Sequence, residues 1–166
     1  PYTMPDDMYQ RILERIQGRG VLTVVDATRD LLVKVLPYHP FLVKPNNYEL
    51  GEIFGVKLST REEVVPYGKK LQEMGAQNVL ISMAGEGAVL IAADGQSMGA
   101  PAPKGTLVNG VGAGDSMVAG FLTGWMEKKD YVHAFHMGIA AGSASAFSEN
   151  LATREEVLQV LQQVEQ

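Results

Sequence analysis

Short apolar runs alternate with segments of helical periodicity, and this alternation limits what the chain can fold into. The runs are nearly continuous and rich in β-branched residues, as is typical of strands buried on both faces of a parallel sheet. They cover residues 21–26, 41–43, 79–83 and 88–92. Segments with apolar residues at helical spacing lie before and between these runs, over 6–16, 31–36, 46–54 and 60–74. This order predicts an open α/β fold with a mainly parallel sheet.

The second half of the sequence predicts an antiparallel edge and three further helices. A tight Asp-Gly turn at 94–95 leads into a weaker strand near 96–100, which implies antiparallel strands at one edge of the sheet. Two apolar helices rich in alanine and glycine follow over about 115–127 and 131–147, and a polar helix starts at Thr153. Four large apolar residues in the first of them are predicted to face the core: Met117, Phe121, Trp125 and Met126.

The composition argues against several classes of function. The 166 residues carry a net charge of −5 with a pI near 5.2, which disfavours nucleic acid or an anionic membrane as the main partner. The absence of cysteine excludes disulfides and thiolate metal sites, and three scattered histidines make a zinc site unfavourable. No pattern typical of a signal peptide or of a bilayer-spanning run is present, so we expect one cytoplasmic domain over residues 1–166.

A glycine-rich stretch has the pattern of an anion-binding turn. Gly110, Gly112 and Gly114 allow positive φ and close approach of the backbone to a ligand, and they lead into a helix. Asp115 stands in the first turn of that helix, where its carboxylate would repel a bound phosphate. An acid at this position therefore indicates a separate role, such as accepting a proton from an attacking hydroxyl. The pattern therefore predicts phosphoryl transfer to an alcohol. The alternative is structural, because an acid in a first helical turn also complements the helix dipole.

Polar side chains follow the second predicted strand. Lys44 could neutralise the oxygens of a transferring phosphoryl group there. Asn46 and Glu49 are three residues apart at a helix start, and this spacing permits two interpretations. One is a capping box, a device that the sequence also predicts at Thr60–Glu63 and Thr153–Glu156. The other is a Mg²⁺ site in which Glu49 binds the ion through water.

Two further stretches have both a binding and a structural interpretation. The turn with Ser82, Gly85 and Gly87 could contact a phosphate or a nucleotide, or it could be a hairpin connection that needs two glycines for its shape. The run over 139–147 is rich in small residues, including Ala141 and Ser143. Small residues favour close helix packing, and they also leave room for a flat ring.

Together these stretches resemble the motifs of the ribokinase-like, PfkB-type sugar kinases. Residues 111–120, Val-Gly-Ala-Gly-Asp-Ser-Met-Val-Ala-Gly, resemble the family signature, and residues 44–49 resemble its Asn-x-x-Glu motif. The turn over 82–87 resembles the family's nucleotide-contacting turn, and the motifs occur in the family's order. The Lys-Pro-Asn form at 44–46 resembles the phosphosugar-kinase branch in particular. The chain resembles only the second half of the family's usual length, and Asn109 stands where many relatives have Asp near a monovalent-cation site.

The resemblance implies a catalytic centre at the glycine-rich stretch. Asp115 would be the base that deprotonates the acceptor hydroxyl. The backbone N–H groups of Gly112, Ala113 and Gly114 would form the anion hole for the developing charge.

The same resemblance implies ATP and Mg²⁺ as cofactors. Lys44 would contact the phosphates of ATP, and Asn46 and Glu49 would organise Mg²⁺ and its waters. Contacts along the nucleotide would come from a set of mostly small residues: Ser82, Gly85, Gly87, Gly110, Ala141 and Ser143.

The implied fold is a three-layer α/β/α ribokinase-like sandwich with a mainly parallel sheet and a small antiparallel edge, lacking the N-terminal half and its lid. The implied activity is ATP-dependent phosphoryl transfer to a sugar phosphate, with fructose 1-phosphate as the first candidate and tagatose 6-phosphate as the second. We expect the isolated chain to be inactive because the acceptor site is absent, and an uncovered strand edge could form a homodimer. The alternative is a regulatory module that binds ATP without catalysis, and the presence of Asp115 argues against it.

Overall fold

The structure is a computed structural model that describes residues 24–25, 29–105, 113–147 and 153–165. The chain forms two compact units. The first comprises Pro1–Met83 and Val89–Ser97, and the second comprises Ala84–Ala88 and Met98–Gln166. The predicted helix over 6–16 and most of the predicted first strand lie outside the described residues.

A mixed sheet carries the strands predicted from the apolar runs. Its strands are β1 (Val24–Val25), β2 (Leu42–Val43), β3 (Asn78–Ser82), β4 (Ala88–Ile91) and β5 (Ser97–Ala100), in that spatial order. β1 pairs with β2, and β2 with β3, in parallel. The connections from β3 to β4 and from β4 to β5 are too short for a parallel crossover, which needs about a dozen residues, so these neighbours are antiparallel.

Three helices of the first unit pack on the sheet. They are α1 (Arg29–Val35), which continues into a short 3₁₀ turn at Leu36–Tyr38, α2 (Asn47–Phe54) and α3 (Arg61–Glu73). Strand side chains that alternate along β2, β3 and β4 meet the apolar faces of these helices. The resulting core contains Leu32, Val35, Leu36, Val43, Leu50, Leu58, Val64, Leu71, Ala76, Val79, Ile81, Met83, Val89 and Ile91.

The described residues of the second unit form three α-helices, α4 (Ala113–Lys128), α5 (Tyr131–Ala146) and α6 (Arg154–Glu165). α4 and α5 are antiparallel and very close. A Cβ atom on Gly120 would lie 2.5 Å from the carbonyl oxygen of Met137, and one on Gly124 would lie 2.9 Å from the Cα of Ala134. Close packing of small residues, the structural interpretation of the alanine- and glycine-rich helices, is therefore confirmed. None of the helices among the described residues is long and apolar enough to cross a membrane.

The core prediction for α4 is right for Phe121 and wrong for Met126. Phe121 is fully buried, whereas Met126 is 62% exposed. Residues at intervals of four stay on one face of a helix, and each single step turns the side chain by about 100°. Met126 lies one step past Trp125 and therefore leaves the face that Phe121 occupies.

Candidate active site

The strands β2 and β3 end side by side in the first unit, and three predicted site residues lie at this edge. Asn46 and Ser82 form a parallel bridge that extends the β2–β3 pairing, and the N–H group of Ser82 donates to the carbonyl oxygen of Pro45 at 3.1 Å. Lys44 directly follows β2 and is only 9% exposed. The structure thus brings together Lys44, Asn46 and Ser82 at the carboxyl end of the parallel strands, where ligands bind in open α/β sheets.

Asn46 and Glu49 form a capping box at the start of α2. The Asn46 side chain accepts from the N–H group of Glu49 at 2.8 Å, and Oε1 of Glu49 accepts from the N–H group of Asn46 at 2.9 Å. The structural interpretation of this spacing is therefore confirmed. Among the described residues, no donor contacts Oε2 of Glu49, so one carboxylate oxygen is not used by the box.

The chain uses the same device at α3 and α6. Thr60 with Glu63 and Thr153 with Glu156 exchange the two hydrogen bonds of a capping box, as predicted. The N–H groups of Ser59 and Thr60, with the Thr60 hydroxyl, lower the pKa of Glu63 from its ordinary 4.5. The contribution of this cap to stability is thus present above pH 4.5 and is lost as the pH falls through the lowered pKa. The box at Asn46 differs in its position, because it directly extends a strand pair at the carboxyl edge.

The turn over 84–87 contains two glycines with different surroundings. Gly87 has φ of +97°, and a Cβ there would lie 1.9 Å from the carbonyl oxygen of Ala100. The fold of the second unit therefore requires glycine at this position. Gly85 has no positive φ, and nothing lies within 4 Å of the place a Cβ would take. The described part of the chain gives no conformational or packing reason for glycine at 85.

The glycine-rich stretch leads into α4, whose first residue is Ala113. Gly114 and Asp115 consequently occupy the first turn, where backbone N–H groups have no intrahelical acceptor. This agrees with the predicted helix start. Gly110, Gly112 and the side chain of Asp115 lie outside the described part of the structure.

The two residues predicted to lie beside a nucleotide base are on α5. Ala141 is 8% exposed and packs against α4, since its Cβ lies 2.6 Å from the place a Cβ on Gly120 would take. Ser143 is half-buried, and its carbonyl oxygen accepts from the N–H group of Phe147 at 3.0 Å. Close packing accounts for Ala141, and a nucleotide contact by either residue stays a prediction.

One polar contact in the second unit was not predicted from the sequence. The hydroxyl of Ser145 donates to Oγ of Ser116 at 2.8 Å, which links the last turn of α5 to the first turn of α4. The sequence shows both serines, but the residues are far apart along the chain. Only the register of the two helices brings them together.

Curated relatives align with this sequence over almost all of its length. A 1-phosphofructokinase from Bacillus subtilis is 48% identical over 164 residues, which are 99% of this chain and 54% of the relative. A D-tagatose-1-phosphate kinase from Bacillus licheniformis is 34% identical over 166 residues, again 99% of this chain and 54% of the relative. The chain therefore spans about half the length of the curated relatives it matches.

A solved structure and a family model also match this chain. The crystal structure of a provisionally named phosphofructokinase from Staphylococcus aureus superposes with a TM-score of 0.91 at 39% identity, covering 98% of this chain and 53% of that chain. The superposition confirms the predicted α/β fold class. The model of the pfkB family carbohydrate kinases matches residues 1–157. The chain therefore belongs to the pfkB family of carbohydrate kinases.

Proposed function

We propose that this chain is the ATP-binding part of a kinase that transfers a phosphoryl group to a hydroxyl of a sugar phosphate. Family membership and the names of the relatives support this activity. The observation that carries the proposal is the edge at which Lys44, Asn46 and Ser82 meet. Such an edge of parallel strands is the usual ligand site of an open α/β sheet, and its lysine suits an anionic ligand.

In this proposal, the start of α4 is the catalytic centre. Asp115 accepts the proton of the attacking hydroxyl, and the N–H groups of Gly112, Ala113 and Gly114 stabilise the charge that develops on the transferring phosphoryl group. The position of Gly114 and Asp115 in the first helical turn supports this assignment. The N–H groups of a first turn have no acceptor within the helix and point beyond its N-terminal end, where an anion can accept from them. An acid there also complements the helix dipole, but beside a bound phosphate it is repelled, and proton transfer gives it a role that offsets this cost.

The residues at the edge of the first unit fit a nucleotide with Mg²⁺. Lys44 is proposed to contact the ATP phosphates. Asn46 and Glu49 supply oxygen atoms, the ligands that Mg²⁺ prefers, and Oε2 of Glu49 can hold a water of the ion while Oε1 keeps the capping box. The bound ion would neutralise phosphate charge during transfer.

The remaining nucleotide contacts are proposed for six positions. They are Ser82, Gly85, Gly87, Gly110, Ala141 and Ser143. The open space at Gly85 supports a close approach of the ligand to the backbone of this turn, since the described fold itself leaves that position free.

The proposed acceptor is a ketohexose 1-phosphate. The relatives carry the names 1-phosphofructokinase and D-tagatose-1-phosphate kinase, and these two sugar phosphates differ only in configuration at C4. Fructose 1-phosphate is the first candidate because the relative with that name has the higher identity, 48% against 34%. Tagatose 1-phosphate is a better second candidate than tagatose 6-phosphate, because the name of the relative places the phosphate on C1.

The experiment compares this chain with a hybrid kinase. In the hybrid kinase, the part of the Bacillus subtilis relative that this chain does not match is joined in front of the chain. ADP release is measured with MgATP and each of fructose 1-phosphate, tagatose 1-phosphate, tagatose 6-phosphate, fructose 6-phosphate, ribose and fructose. We expect turnover of ketohexose 1-phosphates by the hybrid kinase, and nucleotide binding with little turnover by the chain alone. Nucleotide binding without turnover in the hybrid kinase would instead favour a regulatory module.

Substituting Glu49→Gln separates the capping role from the metal role. Glutamine also closes a capping box, so we expect the free energy of unfolding to change by less than about 0.5 kcal/mol. We expect the Mg²⁺ concentration needed for half-maximal turnover of the hybrid kinase to rise about tenfold, because the carboxylate charge is lost. The matched control is Glu63→Gln, which alters the same device on α3. An equal Mg²⁺ response in both variants would leave Glu49 with a capping role alone.

A further inference from the structure

A buried amide ties the first turn of α2 to the segment that follows this helix. Nδ2 of Asn47, the first residue of α2, donates to the carbonyl oxygen of Leu58 at 2.9 Å. Asn47 is only 9% exposed, and the buried side chain of Leu58 is part of the core of the first unit. The hydrogen bond therefore connects the first turn of α2 to a residue that the core itself holds in place.

Residues 56–58 run back along α2 toward its first turn. Gly55, which follows the helix, has a left-handed φ of +68°, and the N–H group of Val56 donates to the carbonyl oxygen of Gly51 at 2.9 Å. A Cβ atom on Gly51 would overlap the carbonyl oxygen of Val56. Gly51 and Asn47 are four residues apart and lie on the same face of α2. This face thus contacts the returning segment at Gly51 and again at Asn47.

The two residues proposed for Mg²⁺ depend on the position of this first turn. Asn46 caps α2 and pairs with the end of β3, and Oε2 of Glu49 is the atom proposed to hold a water of the ion. The capping box fixes Glu49 relative to Asn46, but it does not fix the turn relative to the strand edge. Leu50 packs the helix on the core, yet apolar contacts are non-directional, whereas a hydrogen bond restricts both distance and angle. The bond from Asn47 to Leu58 is therefore a directional tie for the whole turn.

We propose that Asn47 is a positioning residue for the Mg²⁺ site, because its amide holds the first turn of α2 and with it the carboxylate of Glu49. This role rests on the proposed function, and Asn47 itself touches neither the ion nor the nucleotide in it. An unpaired buried acceptor is costly, so without the amide we expect the first turn to shift until water reaches the carbonyl oxygen of Leu58. The consequence is a loss of Mg²⁺ affinity in a variant that keeps both Asn46 and Glu49.

The test measures the affinity of the chain for β,γ-imido ATP by calorimetry, once with excess Mg²⁺ and once with EDTA. The ratio of the two affinities isolates the contribution of the ion. Residues that orient a metal ligand are usually worth about 10–100-fold in metal affinity, and Asn47 acts through a helical turn that keeps both proposed ligands, so we expect Asn47→Ala to lower the ratio about fivefold. The affinity measured in EDTA should stay unchanged.

Asn78→Ala is the matched control. Asn78 is fully buried, and its Nδ2 donates to the carbonyl oxygen of Phe41 at 2.9 Å, the same kind of bond as that of Asn47. Its Oδ1 also accepts from the N–H group of Ala93 at 2.7 Å, so the control loses one hydrogen bond more than Asn47→Ala. Asn78 begins β3, and the candidate site lies at the other end of this strand. A general loss of stability would therefore lower the ratio at least as much in Asn78→Ala, whereas the proposal predicts no change there.

The possible results separate this inference from the proposed function. If the unaltered chain binds no nucleotide, or binds it equally with and without Mg²⁺, the proposed nucleotide and metal site fails and the inference fails with it. If binding depends on Mg²⁺ and Asn47→Ala keeps the ratio of the unaltered chain, or Asn78→Ala lowers the ratio equally, only the inference is wrong. Thermal unfolding shows whether each variant folds. Asn47→Leu, which keeps the volume of the side chain and lacks the donor, takes the place of Asn47→Ala if alanine prevents folding.

Discussion

Replacing Asp115 with asparagine should nearly abolish phosphoryl transfer by the hybrid kinase while leaving its affinity for ATP equal or higher. Asparagine has the same shape but cannot accept the proton of the acceptor hydroxyl, and loss of a general base lowers a rate by about 10²- to 10⁴-fold. The carboxylate also stands in a first helical turn that is proposed to hold phosphate, so removing its charge removes a repulsion. The measurements are ADP release with fructose 1-phosphate and calorimetric titration with β,γ-imido ATP.

Asp130→Asn is the matched control for this substitution. Asp130 caps α5, where Oδ1 accepts from the N–H group of Val132 at 2.8 Å, and asparagine caps a helix about equally well. The same change of charge at this cap should leave turnover within about twofold and thermal stability unchanged. If Asp115→Asn instead weakened ATP binding strongly, or kept full turnover, Asp115 would have a structural role and the proposed mechanism would be wrong.

The sequence predicts those parts of the fold that depend on local patterns. The apolar runs at 41–43, 79–83 and 88–92 became β2, β3 and β4 with ends that shift by one residue. The capping boxes formed as predicted because both of their hydrogen bonds lie within four consecutive residues. Such features need no information about the rest of the chain.

Contacts between helices could not be predicted in the same way. The Ser116–Ser145 pair depends on the register of α4 against α5, and that register depends on where backbones approach at Gly120 and Gly138. A list of small residues indicates close packing, but it does not indicate which positions face each other. The misplacement of Met126 has the same origin, because a helical pattern at its end includes residues on both sides of the apolar face.

The candidate site could be predicted from the sequence only in part. The sequence placed Lys44 and Asn46 after one apolar run and Ser82 near the end of another, and the structure shows that these two strands are neighbours and brings the three residues to one edge. The sequence could not separate a cap from a metal ligand at Glu49, because both roles need an acid three residues after a polar cap. The structure confirms the cap, and Oε2 is the part of the carboxylate on which the metal proposal depends.

The two glycines of the turn at 84–87 offer the sharpest separation of fold from function. Gly87→Ala should destabilise the chain by roughly 3 kcal/mol, because a left-handed φ costs an alanine about 1–2 kcal/mol and overpacking adds about 1–3 kcal/mol. Both costs follow from its φ of +97° and from a Cβ that would lie 1.9 Å from the carbonyl oxygen of Ala100. The measurement is the midpoint of urea unfolding, followed by circular dichroism.

Gly85→Ala should leave the stability of the chain nearly unchanged and should weaken nucleotide binding. A methyl group there meets no atom within 4 Å and requires no unusual φ, so we expect unfolding to change by less than about 0.5 kcal/mol. If the nucleotide approaches the backbone of this turn, the same methyl group should weaken ADP binding about tenfold. Normal ADP binding by Gly85→Ala would mean that the turn is only a hairpin connection. Because the two positions are two residues apart, a general disturbance of the turn would lower the stability of both variants. Loss of nucleotide affinity in the variant that keeps its stability would therefore come from a ligand bound at this turn.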